Sequence, residues 1–317
     1  MKASEIKLLI VFYASLVIGA VLLGWFHFFS PTQQRYSVFV GYMAILTLVL
    51  NSRYFIDGPS ASIAFFTGVY DLLHNFAADN VTTVSLIPCI EGEACSIFDD
   101  GSYPLHPNWA VAFYHRFASE IAIAWRTKLL LCHVGCNTVA FLLMTFQIYF
   151  PGQYTIDRSN VDINRRHRVV GRLANIALVV GVTSAIFLAL EHDYVEEYGG
   201  VWSKYGFLSM AVWVLGTGIK GMVSILQPQK LTLSDVQTHS RWMFRCTGSM
   251  WGSFWIFRAL ELFLGPLLTS YRVLSIQLCM WSSAPLGILV AEVILATAPS
   301  WKDGRVSTIS TKGIKQS

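Results

Sequence analysis

Long apolar stretches recur along most of the chain, and they constrain its fold more than any other feature of the sequence. Seven of them lie at residues 8–29, 36–56, 129–150, 169–190, 205–226, 242–264 and 273–298. Each is long enough to cross a bilayer as a helix, which takes about 20 residues. An eighth stretch, 61–78, is shorter and contains Asp71 and His74. The sequence therefore predicts an all-α fold, a polytopic integral membrane helix bundle.

Charged residues are scarce, which agrees with a chain whose surface lies mostly in lipid. They make up 13% of the 317 residues, whereas an ordinary soluble domain contains about 25%. The net charge of +4 is small, and the basic residues are scattered along the chain. A nucleic-acid partner is therefore not indicated, and the predicted partner is the lipid membrane.

Basic residues near the ends of spans predict which side of the membrane each loop faces. Lys2, Lys7, the arginine-rich loop 157–168 and the basic tail are expected in the cytosol, and the acidic loop 191–200 in the lumen. The charge of every loop agrees with the side of the membrane assigned to it if the stretch 61–78 also crosses the membrane. We therefore predict eight transmembrane helices with both termini in the cytosol, in the endoplasmic reticulum or another endomembrane.

A single transmembrane domain is expected over residues 1–298, followed by a disordered cytosolic tail at 299–317. Its parts are N-terminal spans at 8–78, a lumenal loop with an interfacial helix at 79–127, and a core bundle at 128–298. The loop contains Cys89, Cys95 and a glycosylation sequon at Asn80. A short cysteine pair beside a sequon is typical of an oxidising lumen, so we predict a disulfide and a glycoprotein.

Three short motifs occur in a fixed order in the core bundle. They are "CHVGC", "RRHRVVGR" and "HSRWMFR", and their histidines are His133, His167 and His239. A histidine in a span, then His-Arg-x-x-Gly-Arg, then His-x-Arg-Trp-Met-x-Arg resembles a large family of integral membrane proteins of unknown function. The resemblance covers residues 127–261. Fungal proteins of similar layout include membrane-bound terpene cyclases of meroterpenoid pathways, such as the ascofuranone-type cyclase.

The resemblance implies an enzyme of the isomerase class, a terpene cyclase of secondary-metabolite biosynthesis. Its substrate would be a hydrophobic small molecule, an epoxidised prenylated phenol, and cyclisation would start with protonation. A carboxyl group held in an apolar cavity can remain protonated and serve as that acid. The candidate catalytic acids are Asp71, Glu120, Glu191, Asp193 and Glu261. Glu191 and Asp71 are the leading proton donors, and no metal or other cofactor is required.

Aromatic side chains in the seventh predicted span indicate the walls of such a cavity. Trp251, Trp255 and Arg258 share one face of this helix. Rings stabilise a nearby cation by roughly 0.5–2 kcal/mol per contact. Gly248 and Gly252 occupy another face, where their spacing allows a neighbouring helix to approach closely.

The basic residues of these motifs have more than one interpretation. Arg172 and Arg245 each follow another arginine by four residues, which places each pair on one helix face. They either snorkel to lipid phosphates, clamp an anionic group or anchor two helices. Likewise, Arg258 either pairs with Glu261 or faces the cavity. The candidate substrate-binding residues are His133, Arg172, His239, Arg245, Trp251, Trp255 and Arg258.

An electron carrier is the alternative function. His167 and His239 are expected at the same side of the membrane on spans two apart, as a pair of haem ligands would be. At the other side, His133 and His192 fall on adjacent spans, where a second haem fits poorly. The sequence alone favours a protein without haem, and a b-type haem or quinone-linked carrier is the competing hypothesis. Transport is not favoured, because the sequence has no visible inverted repeat or broken helix pair.

Overall fold

The computed structural model describes residues 18–19, 32–59, 62, 124–149, 154–157, 160–163, 165–191, 200–226, 231–267 and 272–297. Nearly all of these residues are helical. The longer helices in these ranges are α1 (Thr32–Ile56), α2 (Ala124–Tyr149), α3 (Arg165–Glu191), α4 (Gly200–Leu226), α5 (Leu233–Trp251), α6 (Phe257–Leu267) and α7 (Arg272–Thr297). A π-helical turn, Gly252–Ile256, joins α5 to α6. The predicted helix bundle is therefore confirmed.

In the described part of the chain, four helices are long and apolar enough to cross a membrane. They are Ala124–Ile148, Arg165–Glu191, Gly200–Leu226 and Val273–Ala296. This result supports a multi-pass membrane protein. The total of eight spans is not confirmed, because the stretches 36–56 and 242–264 are helical but are not among these four, and 8–29 and 61–78 lie almost entirely outside the described residues.

α1 runs antiparallel to α2, since Asn51 bonds to Thr138 and Tyr54 packs with Leu130. The eight-span topology, in which the stretch 61–78 also crosses, would instead make these two helices parallel.

The arginine-rich loop after α2 contains regular structure that the sequence did not predict. Strands β1 (Tyr154–Asp157) and β2 (Asn160–Ile163) pair in antiparallel register. α3 then begins at Arg165, before the predicted start of the span at residue 169. The hydrophobic pattern identified the membrane-embedded part of α3 and missed its polar first turn.

The seventh predicted span, 242–264, is the middle of a longer helical run that extends from α5 to α6. α5 begins at Leu233 because Thr232 and Asp235 form a capping box. The Asp235 amide donates to the Thr232 hydroxyl (3.2 Å), and the Asp235 carboxylate accepts from the Thr232 amide (2.8 Å). The Thr232 hydroxyl also donates to this carboxylate and lowers the pKa of Asp235, which lies outside the predicted span.

A shared core holds α2, α3, α4 and α5 together. Leu178 of α3 and Cys246 of α5 are fully buried in it, and Met144 of α2 packs in the same cluster. A Cβ atom on Gly218 of α4 would lie 2.9 Å from the Leu178 side chain and 3.3 Å from the Cys246 sulfur. The missing side chain at position 218 therefore lets α4 approach both neighbours closely.

α5 and α7 meet at their backbones, which confirms the close approach predicted from Gly248 and Gly252. A Cβ atom on Gly248 would lie 2.6 Å from the carbonyl oxygen of Gly287 in α7. Cβ atoms on Gly252 and Gly287 would overlap the carbonyl oxygens of Ser283 and Gly248, respectively. Real side chains do not tolerate such distances, so this crossing requires glycine at all three positions.

Candidate functional site

A polar stripe on α1 faces the interior of the bundle. It consists of Thr47, Asn51 and Tyr54, which are at most 7% exposed. Their spacing of four and three residues places them on one face of the helix. Buried polar groups lower stability unless they are hydrogen-bonded, so the stripe needs partners from other helices.

Hydrogen bonds connect the polar stripe to α2 and to the π-helical turn. The Trp255 indole N–H donates to the Thr47 hydroxyl (2.8 Å), and the Asn51 amide donates to the Thr138 hydroxyl (2.6 Å). The Asn51 side-chain oxygen is buried and has no hydrogen-bond partner among the residues that the structure describes. This oxygen can therefore accept a hydrogen bond from a bound hydroxyl group.

Charged and polar side chains from three helices converge beside Tyr54. Arg258 of α6 interacts electrostatically with Tyr54, with Glu261 and with His133 of α2. Its guanidinium donates to the Phe254 carbonyl (2.8 Å) and lies 4.1 Å from the centre of the Phe254 ring. We call Tyr54, His133, Arg258 and Glu261 the interior polar cluster. Ionisable groups are costly inside a helix bundle, and such clusters often have a function.

The π-helical turn determines how the tryptophans are presented. An uninterrupted α-helix would place Trp251 and Trp255 on one face together with Arg258, as the sequence predicts. The π turn adds a residue to the helical turn and so shifts the positions that follow it. Trp251 lines a cleft, whereas Trp255 is buried and bonded to Thr47. Single π turns inside α-helices often mark functional sites.

The cleft is lined by α1, α2, α5 and α7. Its aromatic walls are Phe141, Phe244 and Trp251. The remaining lining residues are Met43, Ile148, Thr247, Gly248, Gly287, Val290, Ala291 and Ile294. None of the lining residues is charged, so the cleft suits an apolar ligand.

Glu191 lies in an ion pair that the sequence did not predict. Its carboxylate accepts a hydrogen bond from the Arg126 guanidinium at 3.0 Å, and the pair joins the end of α3 to the start of α2. This contact gives Glu191 a structural role that does not depend on catalysis. The sequence does not predict Arg126 as the partner of Glu191, because the two residues lie on different helices and their spacing along the chain does not indicate a contact.

His133 connects α2 to α3. Its Nδ1 atom lies 3.2 Å from the Gly181 carbonyl and 2.9 Å from the side-chain nitrogen of Asn137. A protonated Nδ1 donates to the carbonyl, and an unprotonated one accepts from the amide. His133 therefore has a bonded partner in either tautomer and also lies within the electrostatic range of Arg258.

The motif arginines at the opposite end of the bundle differ in environment. Arg245 forms an ion pair with Glu292 of α7, and its guanidinium lies 4.4 Å from the centre of the Trp242 ring. These contacts favour the anchoring of two helices among the interpretations of Arg245. Arg172 and Arg241 are exposed, which agrees with snorkelling towards lipid phosphates.

His167 and His239 come together at this same end. Their ring centres are 6.5 Å apart, and the ring planes are inclined by 77°. The Nδ1 atom of His239 lies 2.7 Å from the Gly221 carbonyl of α4. This geometry agrees with the expectation that the two histidines, on α3 and α5, lie at the same side of the membrane.

Several predicted residues lie outside the described residues. They are the candidate acids Asp71, Glu120 and Asp193, the histidines His74 and His192, and the loop residues Asn80, Cys89 and Cys95. Among the cysteines that the structure describes, none forms a disulfide, and Cys246 and Cys279 are buried. Both are packed thiols, as expected for cysteines within apolar stretches.

No family model, no curated protein and no solved structure matches the chain. Function is therefore inferred from the residues of the site.

Proposed function

We propose that the protein is a membrane-bound terpene cyclase that acts on an epoxidised prenylated phenol. The observation that carries this proposal is the position of the interior polar cluster, where Arg258 and Glu261 lie beside tryptophan-bearing helical turns. The three sequence motifs resemble those of a family of unknown function, and the similar overall layout of fungal meroterpenoid cyclases supports the same activity.

One face of α1 connects the apolar cleft to the interior polar cluster. Met43 lines the cleft, Thr47 bonds to Trp255, and Tyr54 interacts with Arg258. These positions span about 16 Å along a helix that rises 1.5 Å per residue. A prenyl chain of several isoprene units can extend over that length, with its apolar part against the cleft and its polar groups against the cluster.

Protonation of the epoxide oxygen starts the proposed reaction. Asp71, one of the two donors favoured by the sequence, gives the proton in its protonated form. Glu261 interacts with Arg258 and Glu191 pairs with Arg126, and a neighbouring cation favours the carboxylate over the acid. One carbon–oxygen bond of the epoxide breaks, and the π electrons of a neighbouring alkene form a carbon–carbon bond to the cationic carbon. Loss of a proton ends the cascade, and its return to the carboxylate restores the acid, so that the product is an isomer of the substrate that carries a new hydroxyl group.

Aromatic rings and the polar stripe have separate roles in this proposal. Trp251 and Phe244 line the cleft, where their faces stabilise the positive charge, by roughly 0.5–2 kcal/mol per contact, after the cascade has moved it along the prenyl chain. The Asn51 side-chain oxygen accepts a hydrogen bond from the phenol hydroxyl. Because the Asn51 oxygen is buried, this hydrogen bond would fix the substrate in one orientation.

Conversion of an epoxidised prenyl-phenol tests the proposal. Microsomes that contain the full chain should form an isomeric cyclised product, detected by mass spectrometry after chromatography. We expect Asp71→Asn to lower turnover by about 100-fold or more, because loss of a general acid removes a factor of 10²–10⁴. Asp57→Asn is the matched control, because Asp57 is an exposed acid at the end of α1 that pairs with Arg53.

Two further variants decide which acid acts. Glu191→Gln removes the other donor favoured by the sequence, and Glu261→Gln removes the acid that interacts with Arg258. If Asp71→Asn, Glu191→Gln and Glu261→Gln all express well and keep normal turnover, the site assignment is wrong. If the wild-type chain forms no cyclised product while it is correctly inserted, the proposed activity is wrong.

We also infer that the protein lies in an endomembrane, with the C-terminus and the end of the bundle where α3 and α5 begin in the cytosol. α1 begins at this same end, because Met43 lies beside Phe244 and Tyr54 beside Leu130. A first span at 8–29 would therefore place the N-terminus in the lumen, contrary to the prediction of a cytosolic one. The first turn of α3 and the start of α5 carry arginines at one end of the bundle, the arrangement expected for a cytosolic side. Protease treatment of sealed microsomes tests this orientation. The loop that contains Cys89 and Cys95 should be protected, and its digestion in intact microsomes would reverse the assignment.

A further inference from the structure

Basic and aromatic side chains from three helices converge where α4, α5 and α7 meet. The Lys220 ammonium nitrogen of α4 lies 5.1 Å from the centre of the Trp242 ring of α5. The Arg245 guanidinium carbon lies 4.4 Å from the same ring centre, and this guanidinium also pairs with Glu292 of α7. We call Lys220, Trp242 and Arg245 the tryptophan–cation cluster.

Close packing of α4 against α5 fixes the position of this cluster. A Cβ atom on Gly221 would lie 2.7 Å from the Met243 sulfur. The Nδ1 atom of His239 lies 2.7 Å from the Gly221 carbonyl oxygen. Gly221 and Met243 directly follow Lys220 and Trp242 in the sequence. The packing of the two helices therefore holds the lysine and the ring together in the absence of a ligand.

The tryptophan–cation cluster has an excess of positive charge. Glu292 compensates Arg245, and the positive charge of Lys220 remains. Lys220 is exposed, and so is Arg241, which directly precedes Trp242. The ring attracts the ammonium group through a cation–π contact, and the three N–H donors of a lysine can at the same time bond to the oxygens of an anion. The cluster therefore suits a negatively charged group.

The tryptophan–cation cluster lies at the depth expected for lipid headgroups. Lys220 precedes the end of α4 by six residues, which corresponds to about 9 Å. Trp242 is the first residue of the predicted span 242–264, and tryptophan is enriched at membrane–water interfaces. At this depth of a multi-pass membrane protein, the abundant anions are the phosphate groups of phospholipids.

Exposed apolar surface continues from the cluster towards the middle of the bundle. Trp213 precedes Lys220 by seven residues, which places both on one face of α4, and its side chain is 44% exposed. Gly216 lies between them, and a Cβ atom added there would meet no atom of the described residues within 4 Å. This surface can contact acyl chains while the cluster contacts a phosphate group.

We propose that the tryptophan–cation cluster binds the headgroup of an acidic phospholipid. Lys220 donates hydrogen bonds to the phosphate oxygens, and the acyl chains lie against Trp213. A choline headgroup suits the cluster less, because the ring that could attract its quaternary ammonium already contacts two cations, which repel it. Basic pockets between transmembrane helices are a general means of binding acidic headgroups.

Lipid binding to the purified full chain tests the proposal. The protein in detergent is titrated with phosphatidylglycerol or with phosphatidylcholine of the same acyl chains, and bound lipid is measured by native mass spectrometry. Phosphatidylglycerol should bind at least about fivefold more tightly, the factor that one lysine or arginine contributes near an acidic lipid surface. Inorganic phosphate in excess should not displace it, because that ion has no acyl chains to contact the apolar surface.

Variants connect this lipid preference to the cluster. Lys220→Gln should lower the preference by about fivefold, whereas Lys220→Arg should keep it, because the charge remains. Arg165→Gln is the matched control, since Arg165 is an exposed cation at the same end of the bundle but belongs to α3. Thermal unfolding in detergent checks that each variant is folded, which is expected because Lys220 is exposed.

Three results would overturn the lipid site. Equal binding of the two lipids to the wild-type chain would remove the headgroup preference, and displacement by inorganic phosphate would assign the cluster to a soluble anion. Equal losses in Lys220→Gln and Arg165→Gln would mean a diffuse basic surface. The cyclase proposal is tested separately at a distant site, because Arg258 follows Trp242 by 16 residues along one helical run, or about 24 Å.

Discussion

Trp255 is the residue that joins the π-helical turn to the polar stripe of α1. Its indole N–H donates to the Thr47 hydroxyl, and that hydroxyl in turn donates to the Met43 carbonyl (2.7 Å). All of these groups are buried, so each hydrogen bond replaces one that water would make in a solvated chain. The arrangement fixes one aromatic ring and one helix relative to each other with two directional contacts.

Replacement of Trp255 by phenylalanine removes the donor and keeps an aromatic ring. We expect a loss of about 1 kcal/mol in the free energy of unfolding, because a typical buried hydrogen bond contributes that much and Thr47 keeps its bond to Met43. Denaturant unfolding in detergent micelles measures this difference. Trp281→Phe is the matched control, since Trp281 donates to the Trp202 carbonyl at an exposed position (3.1 Å). Substitutions at exposed positions change the free energy of unfolding by no more than about 0.5 kcal/mol. Equal losses in both variants would contradict the structural role of Trp255.

At the scale of elements, the crossing of α5 and α7 controls the orientation of the helical run that carries the candidate site. Gly248, Gly252 and Gly287 allow the two backbones to touch, and the π turn begins at the second of these glycines. The backbone contact and the change in helical register therefore occur at the same place. Together they determine that Trp251 faces the cleft and that Trp255 faces α1.

A methyl group at the crossing should separate the two helices. We expect Gly287→Ala to destabilise the protein by about 1–3 kcal/mol, because overpacking of a tight contact forces backbone shifts. The matched control is Gly216→Ala in α4, where an added Cβ atom meets no atom within 4 Å. That control should be neutral or stabilising by up to about 1 kcal/mol, because alanine is the better helix former. Thermal unfolding in detergent compares the two variants, and a neutral Gly287→Ala would exclude the backbone contact.

For the whole molecule, the sequence predicts the class of fold well because the bilayer imposes a simple rule. A spanning helix must be long and apolar, so α2, α3, α4 and α7 are visible as hydrophobic stretches. The rule says nothing about polar helix ends, so the early starts of α3 and α5 were missed. It also cannot detect a π turn, because one added residue leaves the hydrophobicity of a stretch unchanged.

The site was less predictable, because its residues lie on helices that are distant in the sequence. The sequence predicts the charged members, Arg258 and Glu261, because charge is conspicuous inside a span. It does not predict Asn51 and Tyr54, since uncharged polar residues are common in membrane helices and only burial distinguishes these two. The ion pair of Arg126 with Glu191 needed the packing of α2 against α3 to become visible.

The outer faces of the bundle lead to a prediction about membrane insertion. Val212 lies at the middle of α4 and is 69% exposed, so it should face lipid acyl chains. Val212→Arg should raise the apparent free energy of inserting α4 by about 3 kcal/mol, the value for arginine at the centre of a spanning helix. Val201→Arg is the control, because Val201 is the same residue type and is 50% exposed but lies near the start of α4. An arginine side chain there can snorkel to the interface. Insertion into microsomes can be measured with glycosylation acceptor sites placed on either side of α4. The same penalty at both positions would mean that α4 is not centred in the bilayer.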